Sequence, residues 1–285
     1  MRFVRCDDPH RFASYVRPFL EARLERNILA TVLLAVADGR FTDPPPMLVY
    51  ATDEEGQRVA AVAMRTPPMP LLASGLDAAA AERLVEVWLE HDPDVPGVTG
   101  VADTARHVAE AWRRRTGGAW RSRMSLALHA LQTVEDPPRP APGRLVAAGE
   151  TDRAMLVDWW RAFAAEADLF NAGADADAAV DHRIGQGNLW IWRQPAGVAV
   201  SMVGTNPPVA GVVRVGPVYT PPAHRRRGFA GTAVAEVSRR ALAGGAHTCM
   251  LSTDLANPTS NRIYAEVGYR RFADWSELEF IRPAT

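Results

Sequence analysis

The 285-residue sequence contains no lysine: all 32 residues counted as Lys+Arg are arginine. That absence excludes a Schiff-base lysine for pyridoxal phosphate, a Walker-type phosphate lysine and a kinase-type strand lysine. Cysteine is scarce as well. Cys6 and Cys249 lie far apart in sequence and form no CxxC or zinc-type spacing. No metal site is expected, and with no support for a disulfide the expected compartment is the reducing cytoplasm. Long hydrophobic runs are missing. The longest apolar stretch, Ile28–Ala37, is about half of the ~20 residues a membrane-spanning helix needs. Met1–Asp8 carries acids early with no apolar run behind them, unlike a signal peptide. An excess of charge is missing too. The net charge is −1, and dividing the chain at Gly143 leaves 17 Arg against 19 acids before it and 15 against 14 after it. Neither half is a basic module, so binding to nucleic acid through bulk charge is not expected. What remains is a chain that is 47% hydrophobic and 23% charged, the composition of a globular protein with a substantial core.

Its length suggests two domains at about 150 residues each. Glu135-Asp136-Pro137-Pro138-Arg139-Pro140-Ala141-Pro142-Gly143 holds four prolines in nine residues near the midpoint. Proline fixes φ and disfavours helix in the residue before it, so this stretch reads as an extended linker between domains at 1–134 and 144–285. In the second half a strand at Arg144–Ala148 is followed by helices over Glu150–Ala167 and Asp175–Ile184. Strands are expected at Asn188–Arg193, Val198–Gly204 and Val209–Tyr219. A helix over Phe229–Ala243, a strand at His247–Thr253, a helix over Pro258–Val267 and a closing strand region at Gly268–Ile281 complete the half. The first half repeats this order more faintly. Helices fall at Asp8–Arg23 and Glu25–Ala37, then strands at Met47–Thr52 and Arg58–Thr66. Leu76–Leu89 (helix), Gly97–Val101 (strand), Asp103–Thr116 (helix) and Ala119–Leu131 (strand) follow. Two diverged copies of one α/β topology are expected.

The stretch from Val215 to Gly231 carries the most chemistry. A β-branched strand ends in a turn, Pro221-Pro222-Ala223-His224-Arg225-Arg226-Arg227-Gly228, that leads directly into a helix. The first four amides of a helix have no intrahelical partner and lie at the positive end of its dipole. Gly228 and small Ala230 allow close approach of a ligand, and three arginines add forked donors, an arrangement suited to a pyrophosphate. A solvated basic turn is the alternative for the arginine run alone.

Arg225-x-x-Gly228-x-Ala230 resembles the Q/R-x-x-G-x-G/A coenzyme motif of the GNAT superfamily of N-acetyltransferases. Asn257-Pro258-Thr259-Ser260-Asn261-Arg262-Ile263-Tyr264-Ala265-Glu266-Val267-Gly268-Tyr269 resembles that superfamily's second motif. The resemblance covers 144–285. It implies an α/β (α+β mixed sheet) fold of two GNAT-like domains, each a central, mostly antiparallel mixed sheet flanked by helices. It also implies acetyl-CoA as co-substrate, attacked directly by a primary amine in a ternary complex. On the matching positions, the amides of Arg226, Arg227, Gly228, Phe229 and Ala230, with the side chains of the run Arg225–Arg227, would hold the pyrophosphate. Val218 and Thr220 would pair with the pantetheine arm, and Gly216-Pro217 fits a bulge there. Asn257 and Asn261 belong to the coenzyme-facing motif, and Tyr264 would protonate the departing thiolate, unless it is simply a packed aromatic. No carboxylate stands on Val209–Tyr219 to serve as base. Asp254 is the nearest motif acid and could equally cap a turn; Glu166, Asp168, His224 and a water relay stay open.

The resemblance implies a small-molecule amine acceptor, with protein amines also possible, and a monomer or homodimer. A non-catalytic acyl-CoA binding or sensing protein is the alternative. Acceptor selectivity is expected from Phe163–Gly187 and the first domain. Trp159, Trp160, Trp190 and Trp192 could line a pocket or belong to the core. Asp175, Asp177 and Asp181 lack the Gly and terminal Glu of a calcium loop and read as helix-entry acids. At Thr66–Gly75, where the first half would carry its own phosphate turn, there are no arginines. The first domain is therefore expected to be a degenerate copy without coenzyme.

Overall fold

The computed structural model describes residues 1–168 and 176–283. The chain forms two compact units, one of Met1–Ala127 with Ala273–Thr285 and the other of Leu128–Phe272. Unit 1 opens with strand β1 (Arg2–Arg5), helix α1 (Pro9–Glu21), a 3-10 turn and helix α2 (Asn27–Ala37). Strands β2 (Met47–Thr52), β3 (Val59–Arg65) and β4 (Leu71–Ser74) follow, then α3 (Ala78–Leu89), β5 (Gly97–Val101), α4 (Ala102–Thr116) and β6 (Ala119–Leu131). Unit 2 runs β7 (Arg144–Ala147), α5 (Arg153–Glu166), α6 (Ala176–Gly185), β8 (Leu189–Arg193), β9 (Ala199–Thr205) and β10 (Val212–Tyr219). Helix α7 (Phe229–Ala243), β11 (Thr248–Asp254), α8 (Pro258–Val267) and β12 (Arg270–Ile281) close the sequence. The order of strands and helices is the same twice over.

In unit 1, β1 to β4 pair antiparallel in chain order, β4 pairs parallel with β5 across helix α3, and β12 pairs antiparallel with β5. In unit 2, β7 to β10 pair antiparallel in order, and β10 pairs parallel with β11 across helix α7. A parallel pair needs such a crossover.

Two strands escaped the sequence reading. Arg2–Arg5 is too short and polar to show alternation, and Leu71–Ser74, buried along its whole length, lies inside the segment taken for a turn. The phosphate-turn position of unit 1 is therefore Gly75–Asp77, after β4. The division of the chain also departs from 1–134 and 144–285. The last residues belong to unit 1 because β12 pairs with β5 from Trp275 opposite Val101 to Glu279 opposite Gly97. Trp275 Nε1 donates to Thr99 Oγ1 at 2.6 Å, and Trp112 stacks on Phe280 at 4.3 Å. The proline-rich segment belongs to unit 2, where Ala141 is buried.

Helix α7 packs on one face of the unit 2 sheet through Phe229, Val234 and Val237 against Val203, Val215 and Leu251. Helices α5 and α6 cover the other face, with Leu156, Val157 and Val180 against Leu189, Ile191 and Met202. Trp192 lies in the α7 core, whereas Trp159 and Trp160 pack at the edge of the α5–α6 core and Trp190 at the edge of the α7 core. A sheet buried on both faces reads as near-continuous apolar runs, as β9 and β10 do. Asp175 and the rest of 169–175 in the expected acceptor segment lie outside the described residues.

A chain ending at Phe272 should lose the cooperative melting of unit 1, because it removes Leu278 and Phe280 from that core, breaks the Trp275–Thr99 hydrogen bond and exposes the β5 edge. An unaltered calorimetric melting profile would contradict the strand assignment.

Candidate functional site

Strands β10 and β11 pair only from Val212 opposite Thr248 to Arg214 opposite Met250. Beyond that point β10 continues to Tyr219 and β11 to Asp254 without pairing to each other, which opens a fork between their ends. On its other edge β10 keeps β9 but loses register between Val215 and Val218. The cause is local sequence. Gly216 takes φ +147, and Pro217 has no amide to donate. This is the bulge expected from the sequence, and it frees the inner edge of β10 around Val218.

Helix α7 begins at the open end of the fork. Its N-cap is Gly228 in the left-handed region at φ 81, with no side-chain cap. Arg226 is also left-handed, at φ 62. Two such residues around Arg227 turn successive amides into a concave nest, and the free first-turn amides of a 15-residue helix add to it. Only glycine fits at 228: a Cβ there would stand 2.7 Å from the Arg139 carbonyl oxygen. The Thr232 hydroxyl donates to the Gly228 carbonyl at 2.9 Å and accepts from the Ala141 amide at 2.9 Å. The proline-rich segment is thus a buttress behind the turn. Its prolines read as a linker because sequence shows their stiffness and not what they lean on.

The three arginines part company. Arg225 Nε donates to the Thr220 carbonyl at 2.8 Å, and its Nη2 lies 2.8 and 2.7 Å from the two Glu166 oxygens. Its guanidinium is committed to the strand end and to α5. Arg226 and Arg227 meet no carboxylate among the described residues, and Arg227 rests over the Phe229 ring at 5.1 Å. They are the two charges available to a phosphate. The Phe229 side chain is core, so only its amide can serve a ligand. His224, just before the run, has a buried Nδ1 with no partner among the described residues.

At the strand end, Ser201 Oγ donates to the Tyr219 carbonyl at 3.0 Å and lies 2.9 Å from Thr220 Oγ1. With the Thr220 carbonyl also engaged by Arg225, both carbonyls past Val218 have partners. Val218 is the expected arm contact left open by the fork. The Tyr219 hydroxyl donates to Glu166 at 3.4 Å; burial, and then the charge of Glu166, raises its pKa. Sequence reading named Glu166 only as one acid of several, and its alignment with Tyr219 and Arg225 needs the fold.

Across the fork, Asp254 Oδ1 accepts from the Ala256 amide at 2.8 Å, which is the capping role. Asn261 donates to the Asp254 carbonyl at 3.1 Å and accepts from the Thr253 hydroxyl, so it ties the β11 turn to α8. Asn257 caps α8 through its side-chain oxygen, which accepts from the Ser260 amide at 3.1 Å and leaves its NH₂ group to a ligand. Tyr264 packs edge-on against Tyr269, ring centres 6.2 Å apart. Burial pushes its phenol up to about 12, and no described residue takes its hydroxyl. It is a protonated donor across neutral and mildly alkaline pH.

Unit 1 differs where it counts. Helix α3, the counterpart of α7, is capped by Asp77, whose carboxylate accepts from the Ala80 amide at 2.8 Å. An anion already sits on that helix start. Among the described residues no group of three His, Cys, Asp or Glu side chains is placed to hold a metal, and no helix is long and apolar enough to cross a membrane.

Residues 208–278, which span the fork and both of its helices, match the FR47-like protein family. Among solved structures, the chain resembles an acetyltransferase of the GNAT family from Colwellia psychrerythraea, at 10% identity and TM-score 0.59, over 99% of this chain and 100% of that one. It also resembles a tandem GNAT protein from the clavulanic acid biosynthesis pathway, at 13% identity and TM-score 0.59, over 100% and 99%. A GCN5-related N-acetyltransferase from Kribbella flavida matches at 20% identity and TM-score 0.57, over 88% and 95%. No curated protein matches the sequence at a significant level. The chain has the GNAT fold, in its tandem form.

Gly228→Ala places a side chain in the left-handed region, costing about 1–2 kcal/mol before its clash with Arg139. It should lower Tm and weaken binding of inorganic pyrophosphate at least tenfold in calorimetry; unchanged affinity would show that the α7 turn is not the anion site.

Proposed function

We propose that the chain is an acetyl-CoA-dependent N-acyltransferase, with one active site in unit 2 and a primary amine as acceptor. The observation that carries this reading is the uncapped start of α7 at the open end of the β10–β11 fork. The pyrophosphate would lie on the amides of Arg226–Ala230, with the Arg226 and Arg227 side chains at its mouth. Backbone groups of β10 near Val218 would take the pantetheine arm, with the NH₂ of Asn257 opposite.

With both substrates held, the amine nitrogen adds to the thioester carbonyl carbon and its electrons move onto oxygen. Amides freed by the bulge would stabilise that oxyanion, often the largest single contribution. Collapse breaks the carbon–sulfur bond, and the leaving sulfur takes a proton from Tyr264. Holding the partners together supplies effective molarities of ~10⁵ M or more in well-oriented cases. No carboxylate on β10 serves as base, and Asp254 and Glu166 already hold an amide and an arginine. The amine proton would leave through water or through His224, whose Nδ1 has no partner among the described residues. The lack of a carboxylate on β10 favours the second reading, an acyl-CoA binding or sensing protein without turnover. A small-molecule acceptor and a cytoplasmic setting complete the proposal.

A thiol-release assay over a panel of amines separates the two: turnover establishes the transferase. Thermal stabilisation by acetyl-CoA, about 2.7 kcal/mol at 100-fold excess over Kd, without any thiol release establishes the sensor. Absence of both ends the coenzyme reading. Tyr264→Phe should lower kcat ~10²-fold or more with little change in the KM for acetyl-CoA. Because burial raises the phenol to about 12, the native rate should show no alkaline decline from Tyr264 below about pH 11. A decline near pH 10 that Tyr264→Phe removes would contradict that burial.

A further inference from the structure

Arg214 is the last residue of β10 paired to β11 before the fork opens. Its side chain has no visible employment. Other arginines with limited exposure have partners: Arg65 meets Asp92 at 2.7 Å, Arg123 meets Glu277 at 2.9 Å, and Arg26 donates to the Phe19 carbonyl at 2.8 Å. Among the described residues Arg214, itself only partly buried, makes no ion pair or side-chain hydrogen bond; desolvation pushes its guanidinium down to about 10, with no neighbouring charge contributing. At that value it remains a cation at neutral pH.

The register fixes where it points. Val215 lies in the core under α7, and alternation sends Arg214 to the opposite face, the one covered by α5 and α6. The Asn206 amide donates to the Arg214 carbonyl at 2.9 Å, so Asn206 stands opposite Arg214 and shares that face. Arg183 of α6 is on the same spot: it donates to the Thr205 carbonyl and to Asn206 Oδ1 (3.2 Å) and lies over the Trp160 ring at 5.3 Å. Arg183 is thus engaged beside the apex of the fork, while Arg214 on the same face has no side-chain partner among the described residues. The bulge at Gly216-Pro217 begins two residues further along β10.

A pantetheine arm entering from α7 brings its acyl end toward this apex. We propose that Arg214 is a specificity residue that receives a substrate carboxylate, carried on the acceptor amine or on the acyl chain. This rests on the acyl-transfer reading above. A planar guanidinium with free donors matches a carboxylate through two parallel hydrogen bonds, and a partly desolvated cation is relieved by an arriving anion. The acetyl group and a plain amine would leave it unmatched.

Two matched comparisons test this. Acetyl-CoA against succinyl-CoA asks whether the acyl chain carries the carboxylate. Glycine, phenylalanine and glutamate against their α-amides ask the same of the acceptor, by initial rates and by calorimetry on the coenzyme A-loaded protein. In one comparison the carboxylate member should win at least tenfold in kcat/KM or Kd, and Arg214→Gln should erase that preference through KM while coenzyme A affinity is retained. Equal treatment in both comparisons, or a preference that survives Arg214→Gln, overturns the proposal. Failure of coenzyme A to bind the native protein overturns the acyl-transfer reading instead. A readout free of any substrate stands beside these. Arg214→Met removes an uncompensated, partly buried charge and should raise the Tm of the ligand-free protein; a lowered Tm would show that Arg214 supports the fold, and would overturn the proposal.

Discussion

The site depends on a helix start left without a cap. In unit 2 the chain arrives at α7 through left-handed residues at Arg226 and Gly228, and no side chain takes the first-turn amides. A closed helix start would be cheaper by about 1 kcal/mol. The turn is held open from behind, where Thr232 links the Gly228 carbonyl to the Ala141 amide and the Arg139 carbonyl stands where a Cβ would be. Stiffness in the proline-rich segment therefore serves the turn, because a backbone already extended loses little entropy in holding that pose.

The same topology without the opening explains unit 1. It repeats strand, helix and parallel strand as β4, α3 and β5, yet Asp77 caps α3 and neither arginine nor nest precedes it. Divergence between the copies is thus a matter of a few residues at one helix start, while the apolar pattern that builds the sheet persists in both. Unit 1 also takes its last strand pairing from β12.

Much of this was legible in the sequence. The helices Phe229–Ala243 and Pro258–Val267 fall where Gly228, Pro258 and Gly268 punctuate the chain, and Gly216-Pro217 marks the bulge because glycine and proline report backbone needs locally. Side-chain employment was less legible. Arg225 reads like its two neighbours but is held by Glu166, 59 positions away; Asn261 reads as a ligand group but holds its own turn, whereas Asp254 takes the capping role read as its alternative to a base. Such partnerships arise from strand register and helix packing, which motif spacing does not encode. Arg214 is the reverse case: one arginine in a valine-rich strand, its importance visible only once its lack of a partner is seen.

The absence of lysine acquires its meaning at the same place, since every donor offered to a phosphate or a carboxylate here belongs to a guanidinium, an imidazole or a backbone amide. The most direct test of the account is the stoichiometry of coenzyme A binding by calorimetry on the full chain. One site per chain, lost in Arg227→Glu and untouched by Asp77→Ala, is the predicted result. Two sites per chain, or one that survives Arg227→Glu, would contradict it.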